Sequence, residues 1–455
     1  MIEDLKKIVG PENVLSGGAE KERFSHVWAT DIPLSAKGVV LPSSTEQVSE
    51  VLRLCYQHHE EVVVHGGLTN LVGGTQTNSN QWVVSLERMN AIEEIDIKAK
   101  TVTAQAGVVL AELIDAVAAQ ALFLPLHFGA KGSAQIGGVV ATNAGGMRVF
   151  RYGMTRNLVL GMEVVLPTGV VLSSLKKIIK DNSGYDLKQL FIGAEGTLGI
   201  ITKVSLRLFE LPTSRYAALV ALKNFNDVIR FLRMMQRELS GNLSAFELMW
   251  QATYQKAAPK DGQFQLSPEY PYYVFVECLG HDLQKDYRAF EDALALADEK
   301  KILLDGVLAQ SEREVESLMR IREDTQVLRE SFVSTQHFDI SLPIDVMDKE
   351  VERIVADLEQ LPFIDAVLAF GHIADGNLHL VVGKNETSPV ISKTRESIVY
   401  KNLKKHLGSV SAEHGIGVHK KAHLKTSKSP EEIALMKTLK QAVDPKNLLN
   451  PGRIF

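Results

Sequence analysis

The sequence predicts an α+β protein of more than one domain, and three observations carry that prediction. At 455 residues the chain is longer than one hydrophobic core usually serves. Short β-type runs alternate with longer stretches that place apolar residues at helical spacing. That alternation changes rhythm near Pro212, in the polar stretch "LFELPTSR". The expected division is an N-terminal helical segment over 1–33, a first domain over 34–211 and a second over 212–455.

Taken in order, "MIEDLKKIVGPENVL" mixes charge with aliphatic residues at helical spacing and lacks the unbroken apolar stretch of a signal peptide. "GVVLP" reads as a short strand. "SSTEQVSEVLRLCYQHH" reads as a helix, with Ser44 and Gln47 placed for a capping box. "EVVVHGG" and "QWVVSL" have the length and composition of strands, and "IDIKAKTVTAQAG" has β character. "LAELIDAVAAQAL" is a helix, and "NLVLGMEVVLPTGVVLSS" is two strands around a Pro-Thr-Gly turn. Beyond Pro212, "YAALVALKNF", "YYVFVECLG", "ILLDGVLAQ" and "AVLAFGHI" read as strands, separated by charged helices such as "SEREVESLMRIREDTQVLRESF". A last helix, "SPEEIALMKTLKQAVDP", opens at Ser429-Pro430 and ends before Pro445.

Hydrophobic residues make up 45% and charged residues 23%, ordinary for a globular protein. A net charge of −5 argues against a nucleic-acid binder, which is normally basic. No run approaches the ~18 apolar residues of a membrane span. A cytoplasmic location is expected, with peripheral contact at a membrane left open. The two cysteines, Cys55 and Cys278, sit among apolar neighbours and suit packing in a reducing compartment.

Chemistry concentrates in two kinds of segment. "HGGLTNLVGG", "GAKGSAQIGGVVATNAGG" and "GAEGTLGIIT" are rich in glycine, which lets a backbone approach a ligand and aim its N–H groups at an anion. Three such segments close together point to a large phosphate-bearing cofactor. Neither the dinucleotide fingerprint nor the P-loop pattern occurs. The second kind is "GHIADGNLHL", where Asp-Gly between apolar runs signals a hairpin. With Asp375 and Gly376 as the two loop residues, Ala374 faces Asn377, Ile373 faces Leu378 and His372 faces His379. Opposed residues share one face with β-carbons roughly 4.5–5.5 Å apart, so two imidazoles converge on one ion.

"GGLTNLVGG", "GAKGSAQIGGVVATNAGG", "RYGMTRNLVLGMEVVLPTG", "DNSGYDLKQLFIGAEGTLGIIT", "FGHIADGNLHL", "SAEHGIGVHKKAHL" and "DPKNLLNPGRIF" occur in that order. Together they resemble the FAD-linked oxidases, a family that includes D-lactate dehydrogenases, D-2-hydroxyglutarate dehydrogenases and the flavin subunit of glycolate oxidase. The resemblance runs from about Val39 to the last residue. It implies a two-part FAD-binding domain of the vanillyl-alcohol oxidase type, then an α+β substrate-capping domain and a C-terminal helical segment.

Residue by residue, the resemblance implies that Gly66, Gly67, Leu68, Thr69, Asn70 and Leu71 wrap the FAD pyrophosphate. Gly132, Ser133, Gly137, Asn143 and Gly146 continue that cradle. Glu195, Gly199, Ile201 and Asn450 line the rest. Leu68 stands where covalently flavinylated relatives have histidine, so dissociable FAD is expected. Asn70 is read as the loop residue that tolerates positive φ. His372, His379 and Glu413 match the ligands of a divalent metal, Zn²⁺ or Mn²⁺ first. His414 matches a general base and Arg322 an arginine that pairs with a substrate carboxylate.

The implied reaction is oxidation of a D-2-hydroxy acid to the 2-oxo acid, by metal-assisted hydride transfer to flavin. Electrons would then pass to a quinone, a cytochrome or an electron-transfer flavoprotein. Relatives acting on 2-hydroxyglutarate have threonine near Gln326, lysine near His337 and asparagine near Val381; the loss of that lysine and asparagine favours a shorter or more apolar 2-hydroxy acid, although a protonated His337 could still bind an anion. The alternatives are an FAD enzyme of a non-acid alcohol and a flavin-binding subunit of a larger complex. "HKKAHLK" reads as a solvated face that could attract an acidic substrate or partner.

Overall fold

The computed structural model describes residues 1–19, 26–27, 30–31, 34–258, 266–385 and 389–455. It has the expected α+β character and forms two compact units. One comprises Met1–Gly145, Gly153–Leu211 and Glu413–Phe455, and the other Gly146–Tyr152 and Pro212–Ala412. Of the segment 1–33 read as helical, the structure shows a helix at Ile2–Val9 followed by a strand at Val14–Leu15. Residues 20–25, 28–29 and 32–33 of that segment lie outside the described residues.

In the first unit, β1 (Val14–Leu15), β2 (Gly38–Val40), β3 (Glu61–His65) and β4 (Gln81–Ser85) form a sheet ordered β1-β2-β4-β3. β2 and β3 both run parallel to β4. Val62, Val63, Val83 and Val84 are all buried, as strands covered on both faces must be. The helix Thr45–His58 packs Val48, Val51, Leu52 and Cys55 against this sheet. Ser44 caps it by accepting the Gln47 N–H. The reciprocal bond runs from Ser43 N–H to Gln47 Oε1, one residue before the expected partner.

A second sheet holds β5 (Ile92–Asp96), β6 (Thr101–Gln105), β7 (Val159–Val165), β8 (Val171–Ser174) and β9 (Ile200–Arg207), in the order β8-β7-β9-β6-β5. β7 and β8 join through the expected Pro-Thr-Gly turn, where Leu166 N–H donates to Val170 O and Gly169 takes φ 85°. The C-terminal helix, Pro430–Val443, starts with a complete capping box between Ser429 and Glu432. Its Lys440 is buried and donates to Thr197 O, Leu449 O and Asp444. The chain then lies along the edge of β3: Val62 N–H donates to Leu448 O and Asn450 N–H to Val62 O.

The second unit is built on one seven-stranded antiparallel sheet. Its strands are β10 (Ser214–Leu222), β11 (Leu243–Trp250), β12 (Tyr272–Gly280), β13 (Leu303–Leu308), β14 (Ser334–Ser341), β15 (Ile364–His372) and β16 (Asn377–Lys384). Their order is β13-β10-β12-β11-β15-β16-β14. β11 and β14 are not apparent in the sequence. The long charged helix divides at Asp324 into Glu312–Glu323 and Thr325–Glu330, because the Asp324 side chain accepts the Val327 N–H and caps the second piece.

Both cysteines are buried, and burial pushes each thiol up to about 12. Among the described residues no helix is long and apolar enough to cross a membrane.

Glu277 on β12 is 0% exposed. Arg148 Nε lies 3.3 Å and Arg215 Nε 2.7 Å from its carboxylate, and Ser244 Oγ donates at 2.8 Å. Burial alone would raise its pKa, but the Arg148 and Arg215 charges outweigh that and hold the carboxyl well below the carboxylate range. Glu277→Ala removes the buried carboxylate between Arg148 and Arg215, of which Arg215 keeps Glu312 and Glu316 at Nη1, and is expected to cost about 3–5 kcal/mol at pH 7. Because the folded pKa is depressed, the contribution is present above the unfolded pKa of about 4.3 and declines as pH falls below it. Urea titrations of both proteins at pH 7 and pH 3 check the loss and its narrowing in acid.

Candidate active site

β15 and β16 pair with Phe370, not His372, opposite His379. The expected two-residue turn does not form. Ile373–Asp375 makes a turn of 3-10 helix and Gly376 takes φ 86°. The longer turn follows from how β14 anchors its far side. Asn377 donates to Asp339 Oδ1 and Ile340 O, and Leu342 N–H donates to Gly376 O. Gly371 permits the crossing, since a Cβ there would lie 2.2 Å from Asn377 O. His372 pairs in register with Glu247 of β11 instead. The imidazoles still converge, with ring centroids 5.5 Å apart and planes at 83°, and with ligating nitrogens within 4.8 Å.

Two buried carboxylates flank these rings. Glu247, 1% exposed, has Oε1 2.6 Å from His372 Nδ1 and Oε2 2.9 Å from Arg322 Nε. The second contact is an ion pair whose alignment falls short of a hydrogen bond. Arg322, on the helix Glu312–Glu323, is 7% exposed, with its guanidinium 4.5 Å from the Phe370 ring centroid. Among the described residues its two terminal nitrogens make no hydrogen bond. Asp339 Oδ1 lies 3.9 Å from His379 Nδ1, and Oδ2 accepts Ser411 Oγ–H and Ala412 N–H. Sequence reasoning missed Glu247 and Asp339. The available signal was one acid inside each of two apolar runs, "AFELMW" and "HFDISL".

Glu413 and His414, both half-buried, begin the segment that returns to the first unit. There Glu195, at φ 51°, accepts the N–H groups of Ile416 and Gly417 at 2.7 Å each. Burial raises its pKa against those two bonds. The expected solvated face in "HKKAHLK" holds for Lys421, Ala422 and Lys425, which are exposed, but Lys420 is buried. Its charge acts on Glu195.

The glycine-rich loops divide by what holds them. None of the backbone amides of residues 66–71 has a hydrogen-bond acceptor among the described residues, although the loop is half-buried. Buried amides are normally paired, so this run, from Gly66 to Thr69, Asn70 and Leu71, suits an anion. Gly67 packs backbone on backbone: a Cβ there would lie 1.9 Å from Ser133 O. The positive φ belongs to Leu68, at 57°, and not to Asn70. Asn70 anchors the loop through its side chain, accepting Gly74 N–H and donating to Thr75 Oγ1.

Gly132 and Ser133 are exposed, and a Cβ on Gly132 would meet nothing within 4 Å. The remaining candidates brace the scaffold. Gly137 packs on Ala106 and Gly199 on Val164, and Ile201 lies in the core. Asn143 accepts the Arg156 N–H. Asn450 accepts Val64 N–H and donates to Glu195 O. Gly146, at φ 122°, belongs to the second unit. Beside the loop, His65 Nδ1 and Gln135 Oε1 are buried without a partner among the described residues.

The model of the FAD-linked oxidase C-terminal domain matches residues 211–454, and that of the FAD-binding domain matches 36–174. The chain belongs to the FAD-linked oxidases. Relatives of this FAD-linked oxidase include a Schizosaccharomyces pombe mitochondrial protein provisionally named D-lactate dehydrogenase, 38% identical over 99% of this chain and 89% of its own. The Bos taurus mitochondrial D-2-hydroxyglutarate dehydrogenase is 38% identical over 99% of this chain and 82% of its own. That of Stutzerimonas stutzeri is 36% identical over 100% and 98%. Among solved structures, p-cresol methylhydroxylase superposes with TM-score 0.76 at 17% identity, covering 100% of this chain and 96% of that one. Alkyldihydroxyacetonephosphate synthase gives 0.75 at 17%, covering 99% and 84%. Both share the fold.

In this FAD-linked oxidase His65 sits immediately before the unpaired amides and donates or accepts at Thr75 O through Nε2, 2.9 Å away; as a carbonyl can only accept, Nε2 carries the proton. Burial lowers its pKa to about 4, so the folded protein keeps it neutral where the unfolded chain protonates near 6.5. The unfolded state therefore binds more protons between those values, and stability falls as pH drops from about 6.5 to about 4, by roughly 3 kcal/mol at most. Denaturation midpoints of apoprotein and His65→Gln across that range check this. The variant is expected to show a flatter acid limb.

Proposed function

We propose that this protein oxidises a D-2-hydroxy acid to the 2-oxo acid, with non-covalently held FAD as acceptor and a divalent cation at the hairpin. One observation carries the reading. Two histidines, His372 buried and His379 half-buried, converge beside an arginine whose terminal nitrogens have no hydrogen-bond partner among the described residues, in a chain that belongs to the FAD-linked oxidases. Relatives named for D-lactate and D-2-hydroxyglutarate support the substrate class. The alternatives of an alcohol substrate or a purely structural flavin subunit would leave that arrangement without use.

Arg322 binds the substrate carboxylate through its terminal nitrogens, because Glu247 already occupies Nε. His372 and His379 supply neutral imidazole ligands to the cation. Glu413, which follows the Asp339-anchored Ala412 in the chain, completes a set that suits Zn²⁺ or Mn²⁺. The cation, when bound, supplies Lewis acidity that lowers the pKa of the substrate hydroxyl. His414 accepts the hydroxyl proton. FAD, when bound, supplies the acceptor for the two electrons leaving with the α-hydrogen. Leu68 offers no nucleophile to the flavin, so the cofactor is dissociable.

Where relatives acting on 2-hydroxyglutarate carry lysine and asparagine, this chain has His337 and Val381. Val381 is buried in the sheet and Gln326 donates to Glu330. A lactate- or glycolate-like acid therefore suits the site better than a hydroxyglutarate-like one.

Anaerobic mixing of the yellow protein with D- and L-2-hydroxy acids, following flavin absorbance with and without chelation, tests the reading. Bleaching by a D-acid, abolished by chelator and restored by Zn²⁺ or Mn²⁺, is expected. Bleaching indifferent to chelator removes the cation from the chemistry, and no bleaching by any acid overturns the substrate class. Arg322→Lys keeps the charge but loses the fork. It is expected to lower kcat/KM by about tenfold to a hundredfold, mostly through KM, in steady-state assays with an artificial acceptor.

A further inference from the structure

The geometry points to Glu247 as a positioning residue that serves two partners at once. Its Oε1 fixes His372 with Nδ1 protonated and Nε2 presented as a ligand atom, and its Oε2 holds Arg322 against Phe370 with the terminal nitrogens open to a carboxylate. This inference rests on the cation and substrate roles proposed above and goes beyond them by naming what couples the two.

A carboxylate at 1% exposure is costly unless it is met by charge or hydrogen bonds. Glu247 has two such groups, each on a different element: His372 at the end of β15 and Arg322 on the helix Glu312–Glu323. An ionised carboxylate only accepts, so the 2.6 Å contact assigns the proton to His372 Nδ1. That leaves Nε2 with its lone pair, the tautomer a metal-binding imidazole needs when its other nitrogen is held by a carboxylate. The register supports the contact, since Glu247 and His372 are opposed residues of adjacent antiparallel strands.

Arg322 is fixed on two sides, edge-on by Glu247 and face-on by Phe370 at 4.5 Å. The Glu247 contact is made at Nε and not at the terminal nitrogens. Phe370 is itself opposite His379, and its ring centroid lies 5.3 Å from that of His379. One carboxylate and one ring thus join both imidazoles to the guanidinium. Asp339 differs: it lies 3.9 Å from His379 Nδ1 and accepts three other donors.

Glu247→Gln removes the charge and keeps the size. The expected result is a folded, flavin-containing variant whose Zn²⁺ or Mn²⁺ affinity, read by chelator competition without substrate, falls about 10–100-fold. KM for the 2-hydroxy acid should rise as well, and Glu247→Gln combined with Arg322→Lys should raise it by less than the product of the single effects. Should Glu247→Gln fail to fold, Glu247→Asp keeps the charge but shortens the reach. It is expected to lose cation affinity and raise KM in the same sense. A folded variant of either kind with wild-type cation affinity and KM overturns the inference. A wild-type protein that binds no divalent cation overturns the cation role and this inference with it. Wild-type binding with unaffected variants overturns the inference alone.

Discussion

The side chains of Glu247, Glu277 and Asp339 lie within the second unit's sheet at 1% exposure or less, and much of that unit's arrangement follows from meeting them. A buried carboxylate left alone costs several kcal/mol, so each must recruit donors from the elements around it. Glu277 recruits Arg148, which with Arg151 ties the short segment Gly146–Tyr152 to the unit formed by Pro212–Ala412. Glu247 recruits a helix and a strand end. Asp339 recruits the hairpin at Asn377 and the loop at Ser411 and Ala412. Elements far apart in sequence are held by charges that the apolar core alone would not place.

The first unit solves its problem with backbone. Its loops approach one another through glycines such as Gly67 and Gly137, which leave no room for a Cβ. Polar side chains, including those of Asn70, Asn143, Glu195 and Asn450, accept backbone amides at Gly74, Arg156, Ile416 and Val64. The amides of residues 66–71 are left out of that network. The contrast with the second unit is one of chemistry as well as shape: backbone dipoles suit a phosphate, while imidazole and guanidinium suit a cation and a carboxylate.

The sequence shows the regular elements well because their burial is simple. "EVVVH" and "QWVVS" are apolar throughout, and the Ser429–Glu432 capping box announces a helix by local chemistry alone. It hides β11 and β14, because Glu247 and Asp339 interrupt the apolar pattern that identifies a strand. The pairing of His372 with His379 was legible as a convergence but not as a register. A turn signal gives loop length only where neighbouring strands make no demand, and here Asn377 is held by β14. Leu68 illustrates a related limit. Its positive φ is imposed by the loop around it, while residue type favours Asn70 for that conformation. Likewise the roles of Glu195 and Asn450 depend on partners more than two hundred residues away in the chain, which no local pattern reveals.

The bonds between β3 and residues 448–450 have a consequence for synthesis. β3 is made early, yet its open edge acquires these partners only after Pro212–Ala412 has been translated. At ribosomal rates of about 5–20 residues per second, the stretch from His65 to Leu448 takes roughly 20–80 s to make. For that time an apolar strand edge stands unpaired on the nascent chain, the kind of surface from which wrong pairings begin. The intervening unit can fold meanwhile, because all its strands lie within one continuous stretch of chain. Translation order therefore leaves the first unit to close last, after the strands of the second have all been made.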